Sequence, residues 1–180
     1  MLPMFRTAFE VSNFVSMVRE RAKAIILLET PEAMMRIDEI LSVGGIREIH
    51  FGLNDLHLGL KLHSRFEVLC SELMDALAEA ALKRGIPYGF GALGRPHDLS
   101  LPIPPDQIVG EITRLGASRA FLSRYFIPPR QEPFDLSQEV LLLRERIAYW
   151  RSASSEVLQK NRQLLRESVR RYREERSSFD

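Results

Sequence analysis

Short apolar runs alternate with amphipathic stretches along the first two thirds of this chain. Helices that connect consecutive parallel strands produce such an alternation, so the pattern is typical of an α/β fold. The run Ala24–Leu28 contains only apolar residues, as expected for a parallel strand that is covered on both faces. The pattern predicts five strands: Leu2–Arg6, Lys23–Glu29, Glu48–Gly52, Tyr88–Leu93 and Ala117–Tyr125.

The amphipathic stretches between these runs predict the connecting helices. Apolar side chains recur at helical spacing over Phe9–Ala22, Glu32–Val43 and Arg65–Arg84, with one face of each stretch apolar. Thr30 followed by Pro31 is a typical helix start, because threonine caps the first turn and proline suits the first helical position. The predicted fold class is therefore α/β with parallel strands.

The C-terminal part of the chain has a different character. We expect residues 127–135, which are rich in proline, to link an α/β domain at 1–126 to a helical segment at 136–180. Residues 136–180 contain neither glycine nor proline, and their apolar residues approximate a heptad. Ser154 and Asn161 interrupt this series, so we predict a long amphipathic helix rather than a continuous coiled coil.

Composition and charge exclude several classes of protein. The 180 residues suit one domain, and 25 basic against 24 acidic side chains give a net charge of +1. No overall field therefore favours nucleic acid or an anionic membrane. Cys70 is the only cysteine, so metal ligands would be carboxylates or histidines. The apolar runs are far shorter than the roughly 18 residues of a membrane span, and we expect a cytoplasmic protein.

Two carboxylates follow neighbouring predicted strands. Glu29 ends the run that begins at Ala24, and Asp55 comes shortly after the strand that ends at Gly52. The carboxyl ends of adjacent parallel strands meet at one edge of the sheet, about 4.8 Å apart, so both side chains could reach one hard cation such as Mg²⁺ or Mn²⁺. Alternatively, Glu29 caps the next helix and Asp55 forms a turn.

A longer motif surrounds these two residues. Glu29-Thr30 is followed 26 residues later by Asp55 in the sequence Gly-Leu-Asn-Asp-Leu. Residues 29–60 resemble the HpcH/HpaI aldolase family of metal-dependent pyruvate aldolases, which includes the citrate lyase β chain. Further segments are similar to the fourth, seventh and eighth barrel strands of that family, namely Leu2-Pro3-Met4-Phe5, Gly89-Phe90-Gly91 and Phe121-Leu122-Ser123-Arg124. The resemblance covers about residues 1–126.

The resemblance implies a partial (β/α)8 TIM barrel whose strands correspond to the last five of eight. It implies that Glu29 and Asp55 bind a divalent metal, Mg²⁺ or Mn²⁺, and that backbone amides at Asn54 and Asp55 hold the substrate carboxylate. The implied activity is that of a metal-dependent carbon–carbon lyase, an aldolase acting on a pyruvate-derived 2-oxo acid. Arg124 follows the predicted eighth strand, where barrels often bind anions, and is a further substrate-binding candidate beside the alternative of a surface salt bridge.

The sequence also departs from the family. Many members have glutamine two residues before the metal-binding glutamate, where this chain has Leu27. The catalytic histidine and the carbonyl-polarising arginine of the family come from the first three strands, which have no counterpart before Met1. We therefore expect weak or no activity from this chain alone, and a homo-oligomer or association with a missing N-terminal half. The alternative is a catalytically silent remnant that acts as an oligomerisation or ligand-binding module.

The remaining candidates have less specific signals. His57 could face the site, although a lone histidine near a turn is more often packed or solvated. Arg95 follows the Tyr88–Leu93 run and could bind an anion or form a salt bridge, and Cys70 lies in an apolar helical stretch that suggests an inert core thiol. The arginines near the C-terminus alternate with glutamates at helical spacing, which favours a solvated helix with ion pairs over nucleic-acid binding.

Overall fold

A parallel sheet is the centre of the fold. The computed structural model describes residues 1–128 and 134–177, and within these ranges four strands form one sheet. In chain order and in sheet order they are β1 (Ala24–Leu28), β2 (Ile46–Phe51), β3 (Tyr88–Leu93) and β4 (Arg119–Leu122). β2 pairs in parallel with both β1 and β3. The predicted α/β class is confirmed.

Helices lie between and after these strands. Those before β3 are α1 (Ala8–Val18), α2 (Pro31–Met35), α3 (Ile37–Leu41), α4 (Leu53–Gly59), α5 (Arg65–Leu69) and α6 (Glu72–Lys83). The later ones are α7 (Pro105–Arg114), a 3-10 helix at Arg124–Phe126, α8 (Leu136–Ser152) and α9 (Ser155–Ser177). Among the described residues, no helix combines the length and the apolarity that are needed to cross a membrane.

The N-terminal segment differs from the predicted strand Leu2–Arg6. Only Leu2 joins the sheet, through a parallel bridge to Ile26. Its amide donates to Ile25 O at 2.9 Å, and its carbonyl accepts from the Leu27 amide at 2.9 Å. Met4 then adopts a left-handed conformation with φ of 53°, which turns the backbone out of the extended path. The strand therefore ends after a single pairing.

Two predicted helices are each divided in two. The break between α2 and α3 falls at Arg36, where φ is −112°, outside the helical range. The break between α5 and α6 falls at Ser71, whose hydroxyl caps α6 by accepting from the Met74 amide at 3.2 Å. The apolar pattern over Arg65–Arg84 predicts one helix, but Ser71 within it is a capping residue and begins a second one.

The chain divides into two compact units by its internal contacts. The first contains Met1–Phe90 and Ala117–Arg119, and the second contains Gly91–Gly116 and Ala120–Asp180. In the first unit, the rings of Phe51, Tyr88 and Phe90 lie 5.4 to 6.1 Å apart at their centroids. All three side chains are fully buried, so they anchor β2 to β3.

In the second unit, α8 and α9 pack against α7. Asp106 accepts two hydrogen bonds from Arg146, at 2.8 and 2.7 Å, and one from the Trp150 indole at 3.0 Å. Asn161, predicted to interrupt the apolar series, is buried, and its amide donates to Gln107 O at 3.0 Å. Two helices therefore replace the predicted long helix: α8 ends at Ser152 and α9 begins at Ser155. The break between them includes Ser154, one of the two predicted interruptions.

The predicted domain division remains a prediction. Its linker at 127–135 lies largely outside the described residues, because residues 129–133 are not among them.

Candidate metal centre

Glu29 directly follows β1 and is buried, with 7% of its surface exposed. The backbone amide of Met4 donates to Glu29 Oε1 at 3.0 Å. The helix cap that the alternative interpretation assigned to Glu29 belongs to Thr30, whose hydroxyl accepts from the Ala33 amide at 3.2 Å. That hydroxyl also donates to Phe5 O at 2.7 Å. The hydrogen bonds of Met4 with Glu29 and of Thr30 with Phe5 thus hold the N-terminal segment beside residues 29–30. The first of them also orients the Glu29 carboxylate.

Gly52 forms the wall beside the Glu29 carboxylate. Its amide donates to Leu28 O at 2.8 Å, which continues the pairing of β1 with β2 by one residue. A Cβ at position 52 would lie 2.7 Å from Glu29 Cβ and 2.8 Å from Glu29 Oε2. Any larger residue would push the carboxylate out of its place, so glycine is required here by a close approach rather than by backbone conformation.

Asp55 is the third residue of α4, a helix where the alternative interpretation expected a turn. Its side chain is half-buried. Burial, and in addition the negative charge of Asp55, raise the pKa of Glu29 above its ordinary value of 4.5, while the hydrogen bond from Met4 acts in the opposite direction. In residues 1–128 and 134–177, no hydrogen bond or ion pair engages the Asp55 carboxylate.

The two carboxylates fit a hard divalent cation. Mg²⁺ is commonly bound through one or two protein carboxylates, with water and substrate oxygens in the remaining positions. Glu29 and Asp55 supply such a pair. In the part of the chain that the structure describes, no cluster of three or more histidine, cysteine, aspartate or glutamate side chains is placed to hold a metal.

The other predicted substrate contacts are distributed differently. Asn54 is exposed in the first turn of α4, next to Asp55. Arg124 is exposed at the start of the 3-10 helix and belongs to the second unit, whereas Glu29, Asn54 and Asp55 belong to the first. The structure therefore brings together three of the four predicted site residues in one unit.

The lesser candidates differ in their surroundings. Arg95 forms an ion pair with Asp98 at 3.1 Å. This agrees with the second of its two predicted roles, a salt bridge. His57 is half-buried in α4. Cys70 is buried, as predicted, and forms no disulfide. Glu48 was not predicted to form any contact, yet it bonds the buried His50 at 2.6 Å and Arg119 at 3.2 Å.

Solved structures similar to this chain include RipC, citrate lyase β subunits and an HpcH/HpaI aldolase. RipC from Yersinia pestis is 15% identical, with a TM-score of 0.60 over 87% of this chain. A citrate lyase β subunit from Mycobacterium tuberculosis, complexed with oxaloacetate and magnesium, is 16% identical, with a TM-score of 0.56 over 82%. An HpcH/HpaI aldolase from Desulfitobacterium hafniense is 17% identical, with a TM-score of 0.51 over 86%.

The chain shares the fold of these proteins. The resemblance read from Glu29-Thr30 and the Asp55 motif is thereby confirmed at the level of the fold, and a parallel α/β sheet is what part of a TIM barrel would contribute. The chain spans 65%, 60% and 64% of the lengths of these three structures. No protein-family model matches the sequence, and no curated protein matches it either.

Proposed function

We propose that Glu29 and Asp55 bind a divalent metal, Mg²⁺ or Mn²⁺, and that this site serves a carbon–carbon lyase reaction on a pyruvate-derived 2-oxo acid. The observation that carries the proposal is the buried Glu29 carboxylate, whose pKa is raised by burial and by the negative charge of Asp55. A neighbouring negative charge disfavours ionisation of a carboxyl group, and a bound cation reverses this effect.

The chain's own residues prepare this site before any ligand arrives. Met4 donates to Glu29 Oε1, so one carboxylate oxygen is held while the other remains beside Gly52. Asp55 belongs to a separate element, α4, and water and substrate oxygens would complete the coordination of a metal held by the two carboxylates. When bound, the metal would supply Lewis-acid polarisation of a carbonyl and would orient the substrate.

The substrate class is supported by two considerations. The Mycobacterium tuberculosis citrate lyase β subunit of this fold is complexed with oxaloacetate, a 2-oxo acid, and with magnesium. In this chain, the backbone amides of Asn54 and Asp55 lie in the first turn of α4, where helical N–H groups have no partner within the helix. We assign the substrate carboxylate to these amides. Arg124 belongs to the second unit, and its role in substrate binding stays a prediction from the sequence.

We further propose that this chain alone is weakly active or inactive. The family resemblance assigns the base and the carbonyl-polarising arginine to strands that precede the segment corresponding to Leu2. All four residues of β4 are exposed, although strands of parallel sheets are normally covered on both faces. Another β/α segment or a second copy of the chain would cover β4. The same exposure supports the second candidate function, a silent oligomerisation or ligand-binding module.

Two assays separate these functions. Pyruvate release from a 4-hydroxy-2-oxo acid is measured with Mn²⁺ in the wild type and in Glu29→Gln, and binding of oxaloacetate is titrated under the same conditions. The lyase proposal predicts metal-dependent oxaloacetate binding that Glu29→Gln abolishes, with slow or no turnover. Fast turnover would contradict the assignment of the base to another segment. Oxaloacetate binding that needs neither metal nor Glu29 would favour the silent module.

A further inference from the structure

A cavity opens at the end of β1 and β2 opposite to the candidate metal centre. It has a volume of about 570 Å³ and lies in the first unit, where α1 ends and β1 and β2 begin. Ala24, the first residue of β1, lines it, whereas Glu29 follows the last residue of that strand. Five strand residues at about 3.3 Å each separate the cavity from the candidate metal centre by roughly 17 Å. The two sites are therefore distinct.

Three cationic side chains line this cavity. Arg19, Lys23 and Arg47 are exposed at its rim together with one acidic residue, Glu20. Within the described residues, none of the three forms an ion pair or a side-chain hydrogen bond. Other cations of this chain do have such partners, as Arg114 has in the buried Glu111. The cavity thus concentrates uncompensated positive charge.

The simplest structural role for these cations would be to offset the negative end of the α1 dipole. Arg21 already has that role, since its guanidinium donates to Met17 O at 2.9 Å and to Val18 O at 3.2 Å. Arg21 does not line the cavity. The C-terminal carbonyls of α1 therefore do not explain why Arg19, Lys23 and Arg47 surround the same space.

The backbone around the cavity is held in unusual conformations. Arg19 and Glu20 are consecutive non-glycine residues in the left-handed region, with φ of 48° and 59°. This region is unfavourable for residues that carry a side chain. Gly45 has φ of 90°, and a Cβ there would lie 2.7 Å from Val15 Cγ1. Arg19 is the left-handed C-cap that ends α1, and the left-handed Glu20 that follows it extends this turn along the edge of the cavity.

We propose that this cavity binds a small organic molecule carrying a phosphate group. Two arginines and one lysine suit phosphate oxygens, and three cations against one carboxylate match the charge of nearly −2 of a phosphate monoester. Inorganic phosphate would fill only a small part of the volume. Val15, Val18, Ala22 and Ala24 line the remainder and would contact an apolar body of the ligand.

The test uses phenyl phosphate as the probe, titrated calorimetrically into the full chain in the presence of EDTA. Saturable binding is expected, with an affinity that falls about ten-fold or more in Lys23→Gln and in Arg47→Gln. Arg36→Gln is the matched control, because Arg36 is exposed but does not line the cavity, and it should bind like the wild type. Circular dichroism verifies that each variant is folded.

Several outcomes would overturn the proposal. Phenyl phosphate that does not saturate, or that binds Lys23→Gln and Arg47→Gln as well as the wild type, excludes a site in this cavity. Equal binding of benzyl alcohol would show that the phosphate group is not recognised. Loss of binding in Glu29→Gln would place the probe at the metal centre instead. The result does not depend on the proposed lyase function, since no metal is present.

Discussion

Gly52 and Glu29 are in such close contact that a single methyl group at position 52 would lie 2.8 Å from Glu29 Oε2. The contact joins the residue after β2 to the residue after β1, and thus the two strands that carry the candidate metal ligands. Because Met4 holds the other carboxylate oxygen, the glutamate is confined from two sides. The position of one ligand therefore depends on a residue that has no side chain.

Gly52→Ala should displace the Glu29 carboxylate and abolish Mn²⁺ binding. We expect a loss of about 1–3 kcal/mol in the free energy of unfolding, the usual range for overpacking. Gly44→Ala is the matched control, because a Cβ at Gly44 has no atom within 4 Å and its φ is not in the left-handed region. Urea denaturation and Mn²⁺ calorimetry measure both effects. Normal Mn²⁺ affinity in Gly52→Ala would show that the close contact does not position the ligand.

The raised pKa of Glu29 predicts a pH-dependent stability in the absence of metal. A carboxyl group whose pKa is higher in the folded chain than its ordinary value of 4.5 binds its proton more tightly when folded. Its contribution to stability is therefore fully present below pH 4.5 and is lost as the pH rises through the folded pKa. Glu29→Gln retains an oxygen for the Met4 amide and should be more stable than the wild type at neutral pH.

Urea denaturation of both proteins from pH 4 to pH 8, with EDTA, tests this prediction. The difference in unfolding free energy between Glu29→Gln and the wild type should increase with pH, and saturating Mg²⁺ should diminish it by stabilising the wild type. A difference that is constant across this range would mean that Glu29 has no shifted pKa.

The two hydrogen bonds of the Thr30 hydroxyl predict an effect on the free energy of unfolding. Its buried hydroxyl both donates to Phe5 O and accepts from the Ala33 amide. Thr30→Ala should cost about 1–3 kcal/mol through the lost helix cap and the unsatisfied carbonyl. Thr30→Ser keeps the hydroxyl and should recover most of this loss. Equal destabilisation by both substitutions would assign the effect to the lost methyl group instead of the hydrogen bonds.

Asp106 holds α8 against α7 in the second unit through Arg146 and Trp150. Asp106→Ala should destabilise this unit by about 1–2 kcal/mol, since the charged hydrogen bonds are partly exposed. Trp150 is the only tryptophan, so its fluorescence during urea unfolding reports on this unit. Glu145→Ala, which changes a carboxylate of α8, is the control. An equal shift of the urea midpoint in that variant would refute a specific role for Asp106.

Much of the sheet could be predicted because its strands are locally distinct. The uninterrupted apolar run of β1 and the glycine-rich Tyr88–Leu93 segment both became strands. α7 was not among the predicted helices, although Pro105 stands at its first position, where proline is favoured. The Leu2–Arg6 prediction failed for a different reason: the backbone turn at Met4 depends on a contact with Glu29, 25 residues away in the chain.

In the candidate metal centre, too, features that depend on local sequence could be predicted and features that depend on distant contacts could not. Parallel strand order was sufficient to place Glu29 and Asp55 at neighbouring strand ends, because both residues follow their strands directly or within one turn. The Thr30 helix cap was predicted and is confirmed. The contacts of Met4 and Gly52 with Glu29, and of Thr30 with Phe5, could not be predicted, since each depends on which atoms of two distant segments meet. The glycine that ends the predicted strand Glu48–Gly52 was the available signal for Gly52, and a glycine in a strand has many other causes.

Calorimetric titration of Mn²⁺ into the wild type, Glu29→Gln and Asp55→Asn tests the candidate metal centre most directly. Wild-type protein should bind one Mn²⁺ per chain, and each substitution should weaken binding at least about ten-fold, since each removes one of two carboxylate ligands. Glu67→Gln, which changes a carboxylate of α5, should leave the affinity unchanged. Equal affinity in the wild type, Glu29→Gln and Asp55→Asn would show that these residues do not form a metal site.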